Sequence, residues 1–243
     1  MEAIKIEKLT KDFKSRRAVN ELDLEIREGE CFALLGQNGA GKTTTIKLLC
    51  CLLPPTSGEA FVFGKSILHE ADGIKSIINV SPQETAIAPK LSVRENLELI
   101  AELYGVERSE ARRRAAELLE KFGLIDRAKD RAKSLSGGLQ RRLSIAMAII
   151  TEPKLLFLDE PTLGLDVRAR RELWSLVAQL KSEMTVILTT HYMEEAEALC
   201  DRIAIMHEGV LRAVGTMDEL KERTGMDNLE DIFLSLTGGE DLI

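Results

Sequence analysis

Residues 30 to 53 constrain the fold of this chain more than any other stretch. Glu30-Cys31-Phe32-Ala33-Leu34-Leu35 is a short, largely apolar run of the kind that forms a parallel strand buried on both faces. Gly36-Gln37-Asn38-Gly39-Ala40-Gly41-Lys42-Thr43 follows it and matches the pattern G-x-x-x-x-G-K-[ST]. From Thr44 onward, residues 44–53 read as a helix stopped by Pro54-Pro55. Strand, glycine loop and helix in that order aim bare backbone N–H groups and the positive helix end at an anion. The glycines admit close backbone approach, Lys42 reaches the β- and γ-phosphates, and the Thr43 hydroxyl suits Mg²⁺. The pattern predicts a nucleoside triphosphate site.

With 243 residues, 44% apolar and 30% charged, the chain has a globular composition and can bury a sizeable core. A net charge of −7 argues against a non-specific nucleic-acid binder, and no nucleic-acid partner is expected. No apolar run approaches the ~18 residues of a membrane span, and the N-terminus lacks a signal-peptide pattern. A membrane function would need another chain to cross the bilayer. Cys31, Cys50, Cys51 and Cys200 show no metal-ligand spacing and read as small buried hydrophobes in a reducing, cytosolic setting.

Along the chain, Ile4, Ile6 and Leu9 and then Leu22, Leu24 and Ile26 alternate in strand fashion, and further strands are expected at 59–63 and 77–80. From about residue 92 the pattern turns helical. Ser92 with Glu95 forms a capping box, Ser109 is expected to cap a second helix, and a third follows Gly137-Gly138 to about Thr151. The run Arg112-Arg113-Arg114 falls beside Glu110 and Glu117, a solvated, salt-laced face. A buried strand is expected at 155–158, a helix capped by Asp166, a strand at 185–190 leading to His191, and a hairpin spanning 203–214. Thr216 with Glu219 caps a further helix, and a short apolar segment ends the chain. The fold class is α/β: a P-loop NTPase core with a mostly parallel sheet, an N-terminal antiparallel β portion and an inserted α-helical subdomain. One domain over 1–243 is expected, with its core at about 1–84 and 152–223, the helical subdomain at 85–151 and a helical tail at 224–243.

Several motifs carry chemistry. Leu155-Leu156-Phe157-Leu158 ends in Asp159-Glu160; beside the phosphate loop, Asp159 would hold Mg²⁺ and Glu160 would orient or deprotonate the attacking water. Taken alone, acidic residues after a strand also cap the next element. Gln83, just past a strand end, could supply an amide to Mg²⁺ or water, or be a plain loop residue. Leu135-Ser136-Gly137-Gly138 opens a helix whose exposed N–H donors suit an anion, although Ser136 would equally serve as an ordinary cap. His191 at the carboxyl edge of a sheet could donate to a γ-phosphate or be structural, and Phe13 is either core or a stacking face for a nucleobase.

Together and in this order, the pieces resemble the ATP-binding subunit of ATP-binding-cassette (ABC) transporters over about residues 3 to 236. The most specific mark is Leu135-Ser136-Gly137-Gly138 lying between Gln83 and Asp159-Glu160. The resemblance implies that Phe13 stacks on adenine, that residues 36–44 cradle the phosphates of ATP, and that Thr43, Gln83 and Asp159 serve Mg²⁺. It implies catalytic roles for Glu160, His191 and Gln83. Ser136, Gly137 and Gly138 would close over the ATP of a second subunit, with Asp166 in the loop Leu163-Gly164-Leu165-Asp166 passing between the sites. The implied assembly is a head-to-tail homo- or heterodimer with another ABC ATPase subunit. Leu139, where many members carry glutamine, and Leu163, where serine is frequent, depart from the pattern at the dimer seam.

Gly164-Leu165-Asp166-Val167-Arg168, the run from His191 to Glu197 and the ending Asn228-Leu229-Glu230-Asp231-Ile232-Phe233 are similar to the exporter (ABC-2 type) branch. That branch works through a separate integral membrane permease, which would hold the chain at the cytoplasmic face of the cell membrane. The segment from about Ser81 to Gly105 is the expected docking surface, with Arg94 and Glu98 on its outer face. Importer subunits, soluble ABC ATPases of translation or DNA repair, and a non-hydrolysing scaffold are the alternatives. The soluble ATPases usually carry two cassettes or a long coiled-coil insertion, and Glu160 with His191 argues against the scaffold.

Overall fold

The alternating N-terminal residues form a long hairpin in the computed structural model, which describes residues 1–238. Strand β1 (Glu2–Phe13) pairs antiparallel with β2 (Arg16–Arg27), setting Ile4, Ile6 and Leu9 opposite Ile26, Leu24 and Leu22. Strand β3 (Cys31–Leu35), buried at every residue, runs into the glycine loop and α1 (Lys42–Leu49). Strand β4 (Ser57–Val62) adds to the other edge of β1, with β5 (Lys65–Ser66) beyond it. A short α2 (Ala71–Lys75) leads to β6 (Ile78–Ser81).

Helices α3 (Val93–Leu103), α4 (Arg108–Lys121) and α5 (Gly137–Ile149) fill the stretch before β7 (Leu155–Asp159). There follow α6 (Val167–Leu180), β8 (Thr185–Thr190), α7 (Met193–Leu199), the hairpin β9 (Arg202–His207) and β10 (Val210–Gly215), then α8 (Met217–Thr224) and α9 (Leu229–Thr237). The main sheet has the order β10-β9-β3-β8-β7-β6 and is parallel except where β10 turns back on β9.

Strand β3 divides the core. Cys31, Ala33 and Leu35 join the apolar cluster that includes α3 to α6, whereas Phe32 and Leu34 join α1 and the antiparallel sheet. Alternation along one central strand therefore holds two layers against it.

Local details differ from the sequence expectation in three places. Helix α1 stops at Leu49, short of Pro54: Cys51 turns to φ 54°, its N–H bonds the Leu48 carbonyl, and Leu52 N–H bonds the Lys47 carbonyl. This is a Schellman closure built without glycine. Glu107, not Ser109, caps α4, its carboxylate accepting the Ser109 N–H at 2.9 Å. Arg94 and Glu98 are half-buried; the exposed residues of α3 and its end are Glu95, Leu99, Glu102, Leu103 and Tyr104. Of the expected tail, residues 239–243 lie outside the described residues.

Candidate active site

Parallel register gathers motifs that are far apart in sequence. Leu35 pairs with Thr190 and Asp159 with Thr189, so the glycine loop, the acidic pair and His191 leave neighbouring strands at one sheet edge. Such an edge, at the carboxyl ends of parallel strands, is where α/β proteins bind ligands. Two glycines are required by space. A Cβ on Gly36 would lie 2.5 Å from the Met206 carbonyl oxygen, and one on Gly41, at φ 105°, would lie 2.4 Å from that of Ala18.

Lys42 is buried, and its ammonium donates to the carbonyls of Gly36 (2.7 Å) and Gln37 (3.3 Å). It also meets Glu160 Oε1 at 3.2 Å, while Glu160 Oε2 lies 2.8 Å from His191 Nδ1. A buried carboxylate thus links the loop lysine to the histidine. Glu160 sits at φ 47°, a strained region for a residue with a side chain. Its N–H is shared between the Thr189 carbonyl (3.1 Å) and hydroxyl (3.0 Å), which hold it there. Asp159 Oδ1 accepts from the hydroxyls of Thr43 (3.1 Å) and Thr189 (2.6 Å).

A cavity of about 360 Å³ opens above these groups, walled by Phe13, the loop from Asn38 to Thr44, Gln83, Glu160 and His191. Phe13 is 47% exposed, with the Lys11 ammonium 5.5 Å from its ring centre. Ser136, Gly137, Gly138 and Asp166 stand apart from this cavity. Ser136 caps α5 through Leu139 N–H at 3.5 Å, and Asp166 caps α6 through Ala169 N–H at 2.9 Å.

Four residues here are given no role of their own by the sequence motifs. Arg16 pairs across the hairpin from Phe13, lines the cavity and donates to the Gly39 carbonyl. Arg141 is buried on α5, and burial pulls its pKa down to about 10. Its guanidinium donates to the carbonyls of Asp159 (2.7 Å), Pro161 (2.8 Å), Gln83 (3.3 Å) and Pro82. One side chain therefore ties α5, the Gln83 loop and the end of β7 together. Thr189 and the buried Glu195 complete the set.

Residues 19–163 match the protein-family model described as ABC transporter. The chain belongs to that family. It is 42% identical, over 96% of its length and 75% of the relative's, to the linearmycin resistance ATP-binding protein LnrL of Bacillus subtilis. It is 44% identical to the doxorubicin resistance ATP-binding protein DrrA of Mycobacterium tuberculosis over 86% of this chain and 63% of that protein. With the human phospholipid-transporting ATPase ABCA3 it shares 43% identity over 91% of its own length but 13% of the larger protein.

Among solved structures, an ATP-binding subunit of an ABC transporter superposes with a TM-score of 0.85 at 29% identity, covering 96% of this chain and 99% of the other. A dimeric, post-hydrolysis ATP-binding cassette bound to ADP and Pi superposes at 0.79 with 28% identity, over 88% and 98% of the two chains. The ABC chain binds ATP and hydrolyses it. Among its described residues no helix is long and apolar enough to cross a membrane.

Proposed function

We propose that this ABC ATPase drives export of a substrate through a separate integral membrane permease, on whose cytoplasmic side it sits. The relatives named for linearmycin and doxorubicin resistance favour a drug-type compound as the exported substrate. The observation that carries the hydrolytic assignment is the chain Lys42–Glu160–His191 at the glycine loop, with Lys42 and Glu160 buried and His191 half-buried.

In this reading Phe13 stacks on adenine, and the backbone of residues 36–44 receives the phosphates with Lys42 at the β/γ oxygens. Glu160 accepts the proton of the attacking water at its carboxylate, and His191 holds the Glu160 carboxylate on one side and faces the γ-phosphate on the other. Thr43 hydroxyl, Asp159 carboxylate and Gln83 amide are hard oxygen donors around the loop and fit Mg²⁺, with the Thr43 and Asp159 oxygens already 3.1 Å apart. Bound there, Mg²⁺ neutralises charge on the phosphates.

Ser136, Gly137, Gly138 and Asp166, remote from the chain's own cavity, suit a head-to-tail dimer in which they complete the site of a second subunit. Residues 85–151 act as a helical subdomain that turns against the core at about 1–84 and 152–223, with 224–243 as a tail.

The test is Glu160→Gln. ATP affinity should hold while turnover falls about 10²–10⁴-fold, the usual worth of a positioned base. Turnover at the wild-type rate would remove Glu160 from the mechanism.

A further inference from the structure

Helix α7, which begins just after His191, carries Glu195 with its side chain wholly shielded from solvent. Glu195 Oε1 accepts from the Trp174 indole N–H on α6 at 3.2 Å. Its Oε2 makes no hydrogen bond, and neither does the buried hydroxyl of Thr162 in the loop that follows Glu160. Among the described residues, these two oxygens are the fully buried side-chain polar atoms left without a partner. Buried polar groups are nearly always paired, so an open pair beside a reaction centre calls for an explanation in function.

Burial pushes the Glu195 carboxyl above the usual carboxylate range, opposed by Thr190, Thr162 and Trp174 and reinforced by the charge of Glu160. Oε1 holds the Trp174 N–H, which leaves Oε2 to pair with the Thr162 hydroxyl, accepting its O–H when ionised or donating to it when protonated. If Glu195 served packing alone, an apolar side chain of similar volume would do as well or better.

The same two helices are joined a second time. The Arg170 guanidinium of α6 lies 6.0 Å from the ring centre of Trp174 and 5.4 Å from that of Tyr192, whose ring packs 4.0 Å from the His191 ring. Movement of α6 relative to α7 therefore reaches His191 through packed side chains.

We propose that Glu195 is a positioning residue for hydrolysis: it pins α7, and with it His191, to α6 through Trp174, and its free oxygen is the partner open to the Thr162 hydroxyl of the loop after Glu160. Glu195 acts through His191 and the loop rather than on ATP, and the inference rests on Glu160 and His191 being the hydrolytic groups.

Steady-state ATPase kinetics of the full chain test it, together with nucleotide affinity and thermal melting. Glu195→Ala should lower kcat about 10–100-fold, the scale of an ångström-level misplacement, with KM for ATP changed less than about two-fold. Glu195→Gln keeps an acceptor for Trp174 and a donor for Thr162, and should restore kcat to within about three-fold of wild type. Thr162→Val, nearly the same shape, should lower kcat several-fold at unchanged KM.

Wild-type kcat in Glu195→Ala, or a loss that Glu195→Gln fails to rescue, overturns the proposal. If Glu195→Ala does not fold, Thr162→Val decides, and wild-type kcat there overturns it. Glu160→Gln run alongside separates the two readings. An active Glu160→Gln sinks the hydrolytic assignment itself, whereas an inactive one beside a normal Glu195→Ala sinks the Glu195 inference alone.

Discussion

Lys42 stands between two sets of partners. In the structure its ammonium is shared among the Gly36 and Gln37 carbonyls and Glu160, and an incoming phosphate competes for the same positive charge. Lys42→Ala removes that charge-assisted contact, worth about 1.5–3 kcal/mol, so ATP should bind about 10–100-fold more weakly. A fluorescence titration with a labelled nucleotide checks it, and unchanged affinity would discard the assignment. Arg16 makes a companion case. Its guanidinium lines the same cavity as Phe13 and donates to the Gly39 carbonyl, so a nucleotide in the proposed site would pass beside it. Arg16→Ala should weaken ATP and ADP binding by about three- to ten-fold, as expected for one exposed charged contact, and leave kcat unaltered. Equal affinity in wild type and variant would leave Arg16 outside the site. Lys42 could be read from the sequence because the glycine loop that carries it, with the Gly36 and Gln37 carbonyls, is local in the chain. Arg16 could not, because its place depends on hairpin register across from Phe13.

At the scale of elements, strands, helices and most caps were legible. The box of Ser92 with Glu95, the box of Thr216 with Glu219 and the Asp166 cap all form as their spacing implies. These depend on contacts within one turn. What escaped was set by neighbours distant in sequence or by competition between local groups. Glu107 outcompeted Ser109 as a cap, and Arg141 gained its role only because α5 packs against the ends of β6 and β7. The outer face of α3 is a similar case. Arg94 and Glu98 are half-buried, and the exposed residues include the apolar Leu99 and Leu103 beside Glu95 and Glu102, with Tyr104 beyond them. Leu99 and Leu103, one turn apart, form a small apolar step beside the Gln83 loop's helical block. If the permease docks there, Leu99→Glu with Leu103→Glu should abolish transport and permease-stimulated hydrolysis. The isolated chain should keep its melting temperature and ATP affinity, since both side chains already face water. Full transport by the double variant would place the permease elsewhere.

At the scale of the whole molecule, the glycine-loop cavity and the N-terminus of α5 are separate places on the chain. The glycine loop, Glu160 and His191 line one cavity, while the exposed Ser136 and Gly137 at the α5 N-terminus lie outside its lining. In the proposed head-to-tail pair each α5 end would complete the site of the other subunit, and that arrangement predicts complementation between dead variants. Lys42→Ala disables the glycine loop. Gly137→Asp puts a carboxylate at the α5 N-terminus, where a Cβ meets nothing within 4 Å, so the fold tolerates it while a phosphate is repelled. Each variant alone should be inactive, because every site of its homodimer has one defective half. In the mixed dimer both lesions fall on the same site, and the other site has an intact loop and an intact α5 end. Random pairing makes half the dimers mixed, each with one working site of two, so equal mixing should recover about a quarter of wild-type ATPase activity. Activity that stays at zero after mixing, with mixed dimers demonstrated by differential tagging, would rule out sites shared between subunits.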